Sequence, residues 1–397
     1  MKSNYLRWAA FFFALFHIYC NVFASISELW LSAIHFGGFC ALCALISNES
    51  PTVQPKSVTY WINILLAVVA VSTSAYLILF ENSLYARETE YILSDYIFSL
   101  VAIGLAIEFT RRTTGWFMPV LILISLSYIL FLGRYIGGVF SFPGLSLETV
   151  LYRSFFTSEG MFGLTAQISS TFVFMFIIFG SFLLRSGAGD FIVRLAQCLA
   201  GRYTGGAGLV AVVGSGLMGS VSGSAVANTV STGVITIPMM KKSGFPGKFS
   251  AGVVAAASTG GALMPPVMGA GAFVLASYTQ IPYLTIIAAS TLPAILYFLT
   301  VCYFVRIEAK RLGLTLTAAE DTEKISTVLK EGWHFIIPMI VLVSFLVIGR
   351  TPTTSAAFAI ISVIGASWLS SPPMRLPDIF DATVEGVKTM VSTALLL

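Results

Sequence analysis

The most polar stretch within an apolar part of this chain lies at residues 214–240. It reads GSGLMGSVSGSAVANTVSTGVITIPMM, in which glycines alternate with serine and threonine hydroxyls around one asparagine amide. A helix that only packs against other helices in a membrane needs some small residues, but hydroxyl and amide groups are costly there unless they bind one another, water or a ligand. The segment therefore predicts a binding site built from hydroxyls, an amide and freed backbone carbonyls.

A second irregular segment follows at residues 258–269, which read STGGALMPPVMG. Paired prolines remove two backbone donors and leave carbonyls unpaired, and paired glycines allow non-helical angles. A kinked helix would explain either segment alone, whereas two such segments in tandem favour broken helices that line a cavity. Unpaired carbonyls at such breaks can coordinate a sodium ion, and the N-termini of half-helices favour an anion.

The composition of the whole chain predicts that these segments lie in a membrane. Of the 397 residues, 57% are hydrophobic and 10% are charged, against about 25% charged residues in soluble domains, and the mean hydropathy is +0.89. The apolar runs are long enough to span a bilayer, and they lack the period-two alternation of barrel strands. The predicted fold class is therefore all-α, a polytopic membrane protein.

The hydropathy pattern separates full-length spans from shorter elements. Two half-length apolar segments, 207–219 and 229–240, flank the turn of a predicted helical hairpin, and residues 186–204 predict an amphipathic surface helix. Residues 135–162 and 307–333 predict loops. The predicted spans are 8–24, 28–47, 59–80, 93–110, 115–133, 163–185, 249–277, 283–306, 335–349 and 355–370.

The placement of positive charges favours a re-entrant hairpin, which enters the membrane and returns to the same side. With the N-terminus in the cytoplasm and 207–240 re-entrant, most of the 22 Lys and Arg residues fall on the cytoplasmic side, as the positive-inside rule requires. If 207–240 instead crossed the membrane once, the basic segment 306–330 would face outward.

Six short motifs occur in an order that is characteristic of one family. They are Ile107-Glu108-Phe109-Thr110-Arg111-Arg112, Glu159-Gly160-Met161-Phe162-Gly163, Gly219-Ser220-Val221-Ser222-Gly223-Ser224-Ala225-Val226-Ala227-Asn228, Ile237-Pro238-Met239-Met240, Pro265-Pro266-Val267-Met268-Gly269 and Thr351-Pro352-Thr353. With these motifs the chain resembles the integral membrane component of a tripartite ATP-independent periplasmic (TRAP) transporter, in the form whose small and large membrane subunits are fused. The resemblance runs from about residue 91 to the end, and residues 1–90 match only as helices.

The resemblance implies an elevator-type transporter with two inverted repeats, each with an arm helix and a re-entrant helical hairpin. Residues 1–114 would be the small-subunit-like helices, and 115–397 the large-subunit-like transport domain. The first repeat would occupy 163–277, and the second would begin near Thr351 and be incomplete. Because residues 378–397 stop in an apolar run, we expect a fragment that lacks the second hairpin and half of the ion and substrate site.

The function that the resemblance implies is a sodium-coupled secondary transporter permease of the bacterial inner membrane. It would import a small organic anion, expected to be a carboxylate, which a separate periplasmic solute-binding protein delivers. Na⁺ would be the coupling ion, and neither enzymatic activity nor a nucleic-acid partner is expected. The expected sodium ligands are Ser222, Ser224, Asn228, Gly260 and Pro265, and the expected substrate contacts are Ser220, Thr232, Ser258 and Thr259.

Two other functions remain open from the residues alone. The run Gly187-Ala188-Gly189-Asp190 fits the G-x-G-D pattern of intramembrane aspartyl proteases, but that chemistry needs two carboxylates in one site. The other acids within spans are Asp95 and Glu108, near span ends, and Glu108 is placed to pair with Arg112 at i, i+4. The second alternative is an ion or solute channel, which gradient-coupled accumulation would distinguish from a transporter. The three histidines are scattered, and no second pair completes a zinc site with the C-x-x-C of Cys40 and Cys43, so the sequence predicts no metal site.

Overall fold

The computed structural model describes residues 1, 3–88, 90–314, 323–369 and 373–396, and no β-strand occurs within these ranges. This confirms the all-α prediction. The α-helices are α1 (Asn4–Val22), α2 (Glu28–Ser47), α3 (Val58–Arg87), α4 (Leu93–Thr114), α5 (Phe117–Leu130), α6 (Leu147–Leu151), α7 (Leu164–Ile168), α8 (Phe174–Leu183), α9 (Gly189–Ala200), α10 (Gly206–Ser222), α11 (Ala225–Lys242), α12 (Gly247–Gly261), α13 (Ala270–Thr279), α14 (Tyr283–Arg311), α15 (Ile325–Gly332), α16 (Ile337–Val347), α17 (Pro352–Ser367) and α18 (Leu376–Ala394).

Six helical segments in the described part of the chain are long and apolar enough to cross a membrane. They are Glu28–Ser47, Val58–Arg87, Leu93–Thr114, Leu164–Ala200, Tyr283–Arg311 and Ile325–Val347. The predicted span at 115–133 is a shorter helix, α5, of 14 residues. The predicted span at 249–277 is interrupted, as its paired prolines require, and forms α12 and α13.

Two segments that were predicted as loops are partly helical. In the first, 307–333, α14 continues to Arg311 and α15 begins at Ile325, while 315–322 lie outside the described residues. Lys310 and Arg311 occupy the last turn of α14, where positive charge stabilises the helix dipole, and this explains why the helix extends beyond its apolar part. The second segment, 135–162, contains the single-turn helix α6.

The predicted surface helix at 186–204 is α9, and the chain enters it through a kink at Gly187. A π-type turn at Leu184–Ala188 joins α8 to α9, and within it Gly187 has φ 102°. This left-handed conformation is open to glycine at little cost. The kink therefore separates the apolar α8 from the amphipathic α9.

The described chain divides into two compact units, the first of which comprises Met1–Thr171 and Val387–Leu397. Aromatic side chains of Phe155, Phe156 and Phe162 form its core with buried residues of α2, α3 and α4. The buried carboxylate of Asp95 accepts hydrogen bonds from Tyr76 and from the guanidinium of Arg87, which lies 2.9 Å away.

The second unit comprises Phe172–Gly386. Its core lies among α10, α11, α12 and α14, where valine and alanine side chains predominate. Small side chains let these helices approach closely, which is the usual way helices associate in a membrane. The division into two units reflects only which residues lie close together in space, and it does not test the subunit boundary. The assignment of 1–114 and 115–397 to small- and large-subunit-like parts therefore stays a prediction.

Candidate functional site

The predicted hairpin is present as α10 and α11, joined by a turn at Gly223 and Ser224. Gly223 ends α10 with φ 61° and donates its N–H to the Gly219 carbonyl at 3.0 Å. Ser224 begins α11, and its hydroxyl accepts the N–H of Ala227 at 3.3 Å. A glycine at the C-terminal end of one helix and a serine cap at the start of the next are what a tight helix–turn–helix requires.

A hydrogen-bonded chain of polar groups joins the two helices of the hairpin below the turn. The Asn228 amide donates to the Ser215 carbonyl at 2.8 Å, and the Thr232 hydroxyl donates to the Asn228 carbonyl at 2.7 Å. The hydroxyls of Ser215 and Thr232 lie 3.1 Å apart. All three side chains are fully buried. They hold α10 and α11 together, so much of the polarity of this segment serves the hairpin itself.

Glycines allow α12 to lie directly against the hairpin. A Cβ atom at Gly219 would overlap the backbone of Gly261, and one at Gly261 would lie 2.8 Å from both the Asn228 amide nitrogen and the Gly219 Cα. Neither position can therefore carry a side chain without movement of the helices. This close approach brings the Asn228 side chain to the surface of α12.

The interruption after α12 packs against the hairpin turn. The N–H of Val267 donates to the Ser220 carbonyl at 3.3 Å, and a Cβ at Gly223 would overlap the Met268 carbonyl. The hydroxyl of Tyr283 lies 2.9 Å from the Pro266 carbonyl oxygen and 2.7 Å from that of Val267. A tyrosine from α14 thus satisfies two backbone carbonyls of the interruption.

Two buried side-chain oxygens in this region have no hydrogen-bond partner, Asn228 Oδ1 and Ser258 Oγ. Both residues are fully buried, on α11 and on α12, which pack against each other. A buried polar atom without a partner costs about 1–3 kcal/mol. These two atoms are therefore the positions in the hairpin region at which an ion or a polar ligand would be most stabilising.

The predicted site residues separate into buried, half-buried and exposed groups. Ser220, Asn228, Thr232, Ser258 and Gly260 are buried, and Ser222, Ser224 and Pro265 are half-buried. Thr259 lies on the exposed side of α12, where its hydroxyl binds the Ala255 carbonyl of its own helix. The ligand roles of all nine residues stay predictions.

Three contributors to this arrangement were not predicted as site residues. Ser215 supplies the carbonyl that positions Asn228, and it could have been noticed within the hydroxyl-rich run. Tyr283 binds the broken segment from α14, and Tyr297 donates to the Ala256 carbonyl at 2.9 Å while its ring covers Gly260. The two tyrosines lie in an ordinary apolar helix, so no local sequence signal marks them.

The carboxylates considered for protease chemistry have other roles. Asp95 binds Arg87, and Glu108 binds Arg111 at 2.8 Å and Arg112 at 2.7 Å. The pairing of Glu108 with Arg112 was predicted. Asp190 lies in the first turn of α9, where a carboxylate stabilises the helix dipole. Within the described ranges, no group of three His, Cys, Asp or Glu side chains could hold a metal ion.

The fold and the site define a multi-pass helical membrane protein with a hydroxyl-lined hairpin packed on a broken helix. The sequence model of the family described as "Tripartite ATP-independent periplasmic transporter, DctM component" matches residues 101–397. The chain belongs to this family. It is therefore a transporter component rather than an enzyme, in the bacterial inner membrane as predicted.

Several relatives are named as TRAP transporter large permease proteins. A putative TRAP transporter large permease protein of Haemophilus influenzae is 29% identical over 250 residues, 61% of this chain and 57% of the relative. The C4-dicarboxylate TRAP transporter large permease protein DctM of Rhodobacter capsulatus is 32% identical over 168 residues, 42% of this chain and 34% of the relative. The sialic acid TRAP transporter large permease protein SiaM of Vibrio cholerae is 25% identical over 244 residues, 61% and 56% of the two chains. The chain spans about half the length of the curated relatives it matches.

Proposed function

We propose that this chain provides one hairpin and one broken helix of a sodium-coupled elevator transporter that imports a small organic anion. The observation that carries the proposal is the pair of buried, unpartnered oxygens, Asn228 Oδ1 and Ser258 Oγ. A bound cation at these oxygens would offset the cost of burying them. Half-buried Ser222 and Ser224 at the turn offer further oxygens to an ion or substrate.

The chemistry of these groups favours a monovalent cation. Protein sites for Ca²⁺ and Mg²⁺ normally include carboxylates, whereas the proposed ligands are an amide, hydroxyls and backbone carbonyls. Discontinuous membrane helices use such neutral oxygens for Na⁺. The predicted ligands are Ser222, Ser224, Asn228, Gly260 and Pro265, the last two through their carbonyls, and we add the buried, unpartnered Ser258 hydroxyl to this set.

The start of α11 supports an anionic substrate. The first N–H groups of a helix lack intrahelical partners and carry partial positive charge, which stabilises a carboxylate. The names of three relatives refer to C4-dicarboxylate, sialic acid and 2,3-diketo-L-gulonate, all of which carry carboxylates. We therefore propose a carboxylate substrate, with Ser220, Thr232 and Thr259 as its nearest hydroxyls, while Ser258, which was also predicted as a substrate contact, is assigned to the sodium site.

The positive charges at the two ends of the hairpin support a re-entrant path. α10 has 17 residues and α11 has 18, and at about 1.5 Å per residue each is slightly shorter than the roughly 30 Å hydrocarbon core. Basic residues lie near both ends, Arg202 before α10 and Lys241 and Lys242 at the end of α11. A hairpin with both ends on one side satisfies the positive-inside rule.

Sodium binding to the purified full-length protein tests the proposal without knowledge of the substrate. Asn228→Ala and Ser258→Ala should each weaken the binding of radioactive sodium by roughly tenfold, since each removes one oxygen ligand. The matched control is Thr300→Ala, which removes an exposed hydroxyl bonded within α14. Unchanged sodium affinity in both Asn228→Ala and Ser258→Ala would contradict a sodium site here. Lower stability with unchanged affinity would indicate a purely structural role.

A further inference from the structure

Two tyrosines of one helix bind the broken segment at two points along its backbone. Tyr283 and Tyr297 both belong to α14, and their separation of about four helical turns puts them on the same face of that helix. The hydroxyl of Tyr297 donates to the Ala256 carbonyl at 2.9 Å, within α12. The hydroxyl of Tyr283 lies 2.9 Å from the Pro266 carbonyl oxygen, beyond the end of α12. α14 therefore contacts the backbone on both sides of the point at which α12 ends.

The predicted sodium ligands Gly260 and Pro265 lie between these two contacts along the chain. The Gly260 carbonyl accepts the N–H of Leu263 at 2.9 Å, and since a carbonyl oxygen has two lone pairs, it can also bind an ion. The last carbonyls of a helix lack the regular intrahelical partners, and Pro265 follows the end of α12 at Gly261. The direction of these two carbonyls therefore depends on contacts with other elements.

The rings and the hydroxyls of the two tyrosines make separate contributions. A Cβ atom at Gly260 would overlap the ring of Tyr297, so this ring lies directly on the glycine. Tyr283 is buried, and its ring stacks on Phe273 of α13 with the ring centroids 4.4 Å apart. Phenylalanine at either position would keep these ring contacts and remove only the hydrogen bond. The effect of each hydroxyl can therefore be measured by itself.

We propose that Tyr283 and Tyr297 are positioning residues, which hold the Gly260 and Pro265 carbonyls in the geometry that binds sodium. The proposal rests on the sodium site proposed above, and it assigns the support of that site to α14, which supplies none of its ligands. Neither hydroxyl contacts the ion, and each acts through the backbone of the broken segment. The hydroxyls affect binding because the ligands of a site must be held within about 0.5 Å of the binding geometry.

Phenylalanine variants of the purified full-length protein test the proposal. Tyr283→Phe and Tyr297→Phe should each bind radioactive sodium about threefold to tenfold more weakly, because the loss of one hydrogen bond loosens the segment. Both variants should also discriminate less between sodium and lithium, because loosely held carbonyls adjust to ions of different radius. The matched control is Tyr303→Phe, which removes an exposed hydroxyl from the same helix and should change neither the affinity nor the selectivity.

Hydrogen exchange without sodium measures the backbone contact independently of ion binding. The backbone amides of 262–269 should exchange faster in Tyr283→Phe and in Tyr297→Phe than in Tyr303→Phe, because local opening costs less there. Equal exchange in all three variants would overturn the proposal.

The binding measurements distinguish failure of this proposal from failure of the sodium site. If the wild type binds sodium and both Tyr283→Phe and Tyr297→Phe keep its affinity and selectivity, the tyrosines do not position the ligands, although the sodium site stands. A lower melting temperature with unchanged affinity and selectivity would also overturn the proposal, since it indicates a purely structural role. Absence of sodium binding by the wild type would overturn the sodium site itself, and the positioning role with it.

Discussion

At the scale of single residues, the hairpin depends on glycines at the positions where helices meet. Gly219 and Gly261 place the backbones of α10 and α12 in direct contact, and Gly261 leaves room for the Asn228 amide. The same amide nitrogen binds the Ser215 carbonyl. The position of Asn228 Oδ1, a proposed sodium ligand, therefore depends on the lack of a side chain at Gly219 and at Gly261.

A methyl group at either glycine should disrupt this contact. Gly219→Ala and Gly261→Ala should each lower the free energy of unfolding by about 1–3 kcal/mol, because backbone atoms must move to accept the added carbon. Gly252→Ala is the matched control, since the same helix α12 has open space at that position, and alanine there should be neutral or stabilising by up to about 1 kcal/mol. Thermal unfolding in detergent measures the effect. If Gly261→Ala melts like Gly252→Ala, the close approach is not required.

The sequence predicted residue types at the hairpin better than it predicted their partners. Asn228 and Ser258 stand out because polar groups are costly in apolar surroundings. The partners of such groups do not stand out in the sequence, because they lie on other elements. Asn228 of α11 binds Ser215 of α10, and Tyr283 of α14 binds Pro266 in the interruption after α12. One sequence shows the need for a partner, but the packing of helices decides which atom supplies it.

At the scale of helices, breaks were more predictable than ends. Short apolar segments on both sides of Gly223 and Ser224 predicted two helices, and the paired prolines at 265 and 266 predicted the break between α12 and α13; both are present. The sequence did not predict the last turn of α14 or the whole of α15, because amphipathic helical turns have the composition of a solvated loop. Whether the hairpin returns to the side from which it entered stays a prediction.

Labelling of single cysteines tests the re-entrant path. After the five native cysteines are replaced, Arg202→Cys and Lys242→Cys, exposed near the two ends of the hairpin, should both react with a membrane-impermeant reagent applied from the cytoplasmic side. Arg350→Cys, also exposed, is the opposite-side control and should react from outside. Reaction of Arg202→Cys and Lys242→Cys from opposite sides would show that the hairpin crosses the membrane.

At the scale of the whole molecule, the described residues form membrane helices and short connections. The family implies a periplasmic solute-binding protein, and we propose that such a protein delivers the substrate to this chain. The predicted outer segment 135–162 is the longest connection assigned to that side, and Arg134 at its start is exposed. We expect this segment to contribute to the surface on which the binding protein docks.

Uptake by vesicles that contain the full-length permease should require the cognate binding protein. Arg134→Glu should slow association of the binding protein and reduce the effect of salt on its rate, because charges at the rim of an interface mainly steer encounter. Lys330→Glu, exposed on α15 and assigned to the cytoplasmic side, is the matched charge reversal and should leave association unchanged. Association rates at several salt concentrations, measured alongside uptake, separate docking from transport. Saturable, sodium-driven uptake by the permease alone would show that no binding protein is needed. Equal effects of Arg134→Glu and Lys330→Glu on association would show that the docking surface lies elsewhere.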